Sequence, residues 1–145
     1  MKKVRGRTIP LSLPRRWVGD LVAFARKVPT VAGEGPILVN ALVNARRSVV
    51  KPPTWNALLT KAAGIVSARI PEFRRSFLSF PVSRLYEYPT SVVSVVINRE
   101  FEGEPAVFIG KINSPETLSL REIDERIDGY TTGPIEAFGS YRRML

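Results

Sequence analysis

The chain contains no cysteine and no histidine among its 145 residues. Without thiol or imidazole, a Ser-His-Asp triad, a Cys-His pair, thiolate or imidazole ligation of zinc and any disulfide within the chain are excluded. The loss is chemical as well as structural, because general-base and nucleophilic catalysis near neutral pH leans on those two groups. Long uncharged runs are missing too, so no segment is expected to span a membrane. Arg15, Arg16 and Asp20 interrupt the apolar stretch that a secretory signal would need. Pro10, Pro14 and a low serine content set the front apart from an organelle transit sequence, and the expectation is a soluble cytoplasmic protein. No Gly-x-Gly-x-x-Gly, phosphate-loop lysine motif, calcium loop or set of metal ligands occurs. What is present suffices for one folded domain: 44% of positions are hydrophobic and 24% charged, and a chain of this length buries about two thirds of its unfolded surface.

Acidic residues are scarce at the front. Residues 1–53 hold eleven Lys or Arg against only Asp20 and Glu34, which accounts for the whole net charge of +9, and the remaining 92 residues balance to zero. Residues 1–8 therefore read as a basic arm and residues 9–145 as a single domain. Two readings stand for the arm, a solvated terminus or a contact with phosphate on nucleic acid, a cofactor or an anionic surface.

Pro10 and Pro14 lead into Trp17, Leu21, Phe24 and Val28 at helical spacing, so residues 15–28 read as an amphipathic helix stopped by Pro29. A breaker-rich connection to Pro36 follows, then a second helix from about Leu38 to Val49, closed by Pro52 and Pro53. Thr54 is placed to cap a third helix whose Trp55, Leu58, Leu59, Ala62, Ala63 and Val66 form an apolar stripe before Pro71. The β-branched run Val92, Val93, Val95, Val96 and Ile97 predicts a central strand buried on both faces. A turn over residues 101–105 then returns the chain through Ala106–Ile109 as a hairpin partner. Leu85–Tyr88 reads as a short edge strand. Ser119 and Glu122 have capping-box spacing, Ile123, Ile127 and Tyr130 continue a helical face, and Pro134–Leu145 reads as a last helix. The pattern predicts an α+β fold, a mixed or antiparallel sheet with helices packed on one face.

Several of these segments resemble a known family. Ile9-Pro10-Leu11-Ser12-Leu13-Pro14-Arg15-Arg16 before a helix, Thr54-Trp55-Asn56-Ala57-Leu58-Leu59-Thr60-Lys61-Ala62 opening one, and Ile70-Pro71-Glu72-Phe73 closing it come first in order. The valine-rich strand from Ser91 to Ile97 and Ser119-Leu120-Arg121-Glu122-Ile123 follow. Together they resemble the front half of the catalytic domain of 2-oxoacid dehydrogenase acyltransferases, which is related to chloramphenicol acetyltransferase. The resemblance implies a half domain of that fold, coenzyme A as cofactor, an acyl-CoA or lipoyl-type acceptor as partner, and a homotrimer or a complementing C-terminal half. It also exposes a departure, because active members use a His-x-x-x-Asp motif whose His is the general base on a thiol. This chain has no His and ends before that region would start, so it is expected to be inactive alone. It reads as a half needing a complement or as a shortened relative with another role. The span from Val31 to Pro36, where a longer strand would stand, is broken by Gly33, Gly35 and Pro36.

No catalytic residue is assigned from the sequence. Arg15 and Arg16 begin a helix, where cations oppose the dipole, so they are either an exposed solubilising pair or the partners of an anion such as a coenzyme A phosphate. Lys61, the one base in an apolar stripe, either snorkels to solvent or points into a ligand channel. Asn56 is either structural or bonds a substrate carbonyl. Trp17 and Trp55 occupy helical core positions and read as packing residues rather than base-stacking platforms. Glu100, Glu102 and Glu104 around a turn, and Asp124, Glu125 and Asp128 on a helix, read as solvated. The rival function is a nucleic-acid- or phosphate-binding module without chemistry, and a third is a structural subunit of a homo-oligomer.

Overall fold

The strongest local instruction in the chain is the turn at Glu102-Gly103, where φ is 53° and 76°. Two successive left-handed residues make a type I′ turn, whose twist matches that of the strands it joins. The computed structural model describes residues 7–138. In chain order it contains α1 (Leu13–Ala25), α2 (Asn40–Arg47), α3 (Trp55–Arg69), β1 (Arg75–Leu78), β2 (Arg84–Glu87), β3 (Val92–Phe101), β4 (Glu104–Asn113) and α4 (Leu120–Thr132). Short 3₁₀ turns cover Pro71–Arg74 and Ile135–Ala137. The fold is α+β, as the pattern predicts, but the strands form two antiparallel pairs, β1 with β2 and β3 with β4, rather than one sheet. Of the basic arm, only Arg7 and Thr8 fall within the described residues, and both are exposed.

The β3–β4 hairpin runs in unbroken register from Val92 opposite Asn113 to Phe101 opposite Glu104. Strand alternation sends Ile97, Ala106, Phe108 and Ile112 to one face, where they meet Ala57 of α3, Ile123 and Ile127 of α4, and Phe138. Each fully buried Ile or Phe contributes roughly 1.5–3 kcal/mol. Phe108 and Tyr130 both lie against Phe138, with ring centroids 5.0 and 5.1 Å apart. Both α3 and α4 are capped as the sequence predicts. Ala57 N–H donates to the Thr54 hydroxyl at 3.1 Å. Ser119 and Glu122 complete a reciprocal capping box.

Three expectations fail for physical reasons. The valine run is not buried on both faces, because helices cover one side of a two-stranded sheet and leave Val96 64% exposed. The apolar stripe of α3 does not face the core either. Its buried positions are Ala57, Thr60 and Gly64, whereas Leu59 is 66% exposed and Trp55 is 40% exposed. Small residues win that face because the chain passes close: a Cβ on Gly64 would stand 2.5 Å from Pro115 Cγ and 2.9 Å from Glu116 N. Finally, residues 84–87 pair with β1, a strand the periodicity did not announce, instead of joining the main sheet as an edge. Arg75 holds that small pair to the preceding turn, with Glu72 at 2.8 Å and Glu87 at 2.9 Å. Of the expected last helix, the described part is only the 3₁₀ turn over Ile135–Ala137, and residues 139–145 lie outside the described residues.

α1 docks by its first turn alone. Leu13, Pro14 and Trp17 sit against Phe101, Val107 and Phe108 at the turn end of the hairpin, while Leu21, Phe24 and Val28 stay exposed. Large apolar side chains stay exposed, among them Phe73, Phe77, Phe80 and Leu85 around the β1–β2 pair.

Candidate functional site

Two helix starts far apart in sequence come together beside α2. Both the backbone N–H of Thr54 and its hydroxyl donate to the Asp124 carboxylate, the N–H at 3.1 Å to Oδ2. That contact sets the first turn of α3 beside the first turns of α4, and the sides of α2 and the Lys51-Pro52-Pro53 loop close a groove of about 540 Å3. Its size falls in the range of small-molecule sites, roughly 300–1,000 Å3. The floor is apolar, with Leu42, Val49, Leu58 and Leu120, and the rim carries Arg46, Lys51 and Arg121 together with Asp124, Glu125 and Asp128.

The rim is partly self-neutralised. Arg121 Nε meets Glu125 at 2.9 Å one turn along α4. Arg46 Nε donates to the Pro53 carbonyl at 2.7 Å, and its guanidinium lies 5.5 Å from the centre of the Trp55 ring. The arginine thus fixes α2 against the start of α3 and explains how a half-exposed tryptophan is held without a core around it. Beside the groove, the Glu122 carboxyl is held below its ordinary value, first by the Ser119 hydroxyl, then by the Ser119 N–H, with Arg126 and Lys61 adding attraction.

The candidate residues read from the sequence do not assemble into one site. Arg15 Nε lies 3.6 Å from Glu104, whose carboxylate also accepts from the Ser12 hydroxyl at 2.5 Å, so the charge at the start of α1 faces an acid of this chain. Arg16 is exposed. Lys61 neither snorkels outward nor enters a channel: its ammonium donates to the carbonyls of Glu116 and Leu118 at 2.7 and 2.6 Å and ties the loop before α4 to α3. Asn56 is exposed on the first turn of α3. Arg15 and Lys61 serve opposite ends of β4, a ten-residue strand about 30 Å long. The residues that do converge, Arg46, Lys51, Leu58 and Asp124, carried no local signal beyond helix capping and loop chemistry, since Thr54 and Asp124 are 70 positions apart.

Among the described residues no cluster of His, Cys, Asp or Glu is arranged to hold a metal ion. Among the same residues no helix is long and apolar enough to cross a membrane. No family model and no curated protein matches the chain.

Proposed function

We propose that the chain is an acyltransferase-like domain that binds an acyl-coenzyme A type of ligand in the α2–α3–α4 groove and does not transfer the acyl group by itself. One observation carries this reading: two of the segments on which the family resemblance rests, the start of α3 at Thr54 and the start of α4 at Ser119, stand side by side, and α3 is tied to α4 through Thr54 and Asp124. The apolar floor suits an acyl or pantetheine chain, and Arg46 and Lys51 supply cations for phosphate at one rim. The reading of inactivity rests on composition, because no imidazole or thiolate exists to take the proton from the attacking acceptor thiol.

The test is a titration of the full chain with coenzyme A and with butyryl-coenzyme A, by calorimetry and by tryptophan fluorescence in a Trp17→Phe background. In that background Trp55, stacked on Arg46, is the reporter. Saturable binding is expected, weakened about tenfold or more, roughly 1.4 kcal/mol, by Arg46→Glu together with Lys51→Glu. Coenzyme A should not be released from acyl-coenzyme A in the presence of a dithiol acceptor any faster with the pure chain than without it, as followed by chromatographic separation of free and acylated coenzyme. Absence of binding at millimolar ligand sinks the ligand, and turnover by the pure chain sinks the claim of inactivity.

A further inference from the structure

The two free edges of the main hairpin are finished differently: β4 is blunted at Pro105 and at Lys111, although the outward groups of Val107 and Ile109 between them have no partner among the described residues. On β4, Gly110 lets the Tyr130 ring lie flat against the strand, since a Cβ there would stand 2.5 Å from the ring. The Tyr130 hydroxyl then reaches round to Lys111, donating to its carbonyl at 2.8 Å and accepting from its N–H at 3.3 Å. Lys111 therefore turns its backbone groups away from β3. Its partner Ser94 does the same on the far side, because opposed residues in an antiparallel pair face each other or turn away together. The two-residue turn after Phe101 gives the same phase, as the pair closing such a turn is hydrogen-bonded. Alternation then places the N–H and C=O of Val92, Ser94, Val96, Asn98 and Glu100 along the outer edge of β3. Among the described residues none of these ten groups has a hydrogen-bond partner.

Natural sheets blunt such an edge with proline, a bulge, an inward charge or a covering loop. β3 contains no proline and its register is unbroken; its inward charge, Arg99, is taken up within the chain by the carbonyls of Tyr130 and Gly133 at 3.2 and 2.7 Å, and its outer face includes exposed Val92 and Val96. From this edge we infer that the chain forms a two-fold dimer in which β3 pairs antiparallel with β3 of a second copy, making one four-stranded sheet.

The register follows from satisfaction of the edge. Only with Val96 opposite Val96 of the second copy do all ten outward groups on each strand find partners. That alignment sets Ser94 opposite Asn98, Val95 opposite Ile97 and Val92 opposite Glu100. No like charges stand face to face, since Arg99 meets Val93 and Glu100 meets Val92. This inference does not depend on the acyl-coenzyme A reading, and neither ligand binding nor turnover enters its test.

Sedimentation velocity over a range of concentrations of the full chain reads the assembly directly. A monomer–dimer equilibrium is expected. Val96→Pro removes an outward N–H and leaves every bond between β3 and β4 in place, so circular dichroism should change little while the dissociation constant rises about tenfold or more. Val96→Lys sets two ammonium groups against each other at the two-fold axis and should act the same way without touching the backbone. Val92→Lys faces Glu100 of the second copy and should tighten the dimer. Hydrogen exchange at the amides of residues 92, 94, 96, 98 and 100 should slow as concentration rises. A monomer at every concentration, a trimer, or a dimer indifferent to both Val96 variants overturns the proposal.

Discussion

α3 and α4 start alike and pack differently. Each begins at a hydroxyl cap, Thr54 or Ser119, and each presents apolar residues at helical spacing. In α4 that spacing points where periodicity says it should, with Ile123 fully buried and Ile127 nearly so. In α3 the larger apolar residues Trp55, Leu59 and Val66 stay exposed, and Ala57, Thr60 and Gly64 face the core. An apolar stripe announces that a helix has a face; it does not say whether that face meets this chain or another. Where the backbone of a neighbouring loop passes within van der Waals contact, small residues take the inside and large ones are displaced outward.

The comparison breaks first at its best-packed position. Ile123→Ala should cost about 2–5 kcal/mol in chemical denaturation, because the side chain is fully buried in the core cluster and its removal leaves a cavity there. A loss below about 1 kcal/mol would mean that α4 is no better buried than α3. Next comes Gly64→Ala, expected to cost roughly 1–3 kcal/mol, since the added methyl meets Pro115 and the Glu116 backbone. A neutral result would remove the close approach as the reason for the inverted face.

The caps are smaller in effect. Ser119→Ala should lose about 1 kcal/mol. The folded state holds the Glu122 carboxyl below its unfolded value, so the stability it brings is complete above the unfolded value, near pH 4–5, and is lost as pH falls through the depressed folded one. Ser119→Ala removes the largest cause of that depression, and the acid limb of the stability–pH curve should flatten relative to the parent. An unchanged limb would show that the Ser119 hydroxyl is not the cause. Smallest is Leu59→Ala, expected within about 0.5 kcal/mol in the monomer because the side chain already faces solvent. A cost comparable with that at Ile123 would place Leu59 in an interior contact and erase the contrast between the helices.

Much of the local structure was legible in the residues. The hydroxyl caps, the proline stops, the hairpin turn at Glu102-Gly103 and the inward face of α4 each follow from chemistry within a few positions. The candidate site was legible only in fragments. Lys61 stood out as a cation in an apolar stripe, yet its partners are carbonyls 55 and 57 positions away, and they make it a strut rather than a ligand. Asp124, on a polar helix face, reads as solvated from the sequence, yet it accepts from the Thr54 N–H and hydroxyl 70 positions away, and Arg46 carries no signal that its guanidinium meets the Pro53 carbonyl and the Trp55 ring.

By itself, the amino-acid sequence determined where helices begin, where the chain turns back and which chemistry is impossible, since capping, φ preference and the absence of imidazole and thiol act over single residues or short spans. Only the tertiary structure decided which face of α3 is inside, which strands pair and which edge of the hairpin stays open. Those outcomes depend on how closely distant backbones approach, a distance that no local pattern contains.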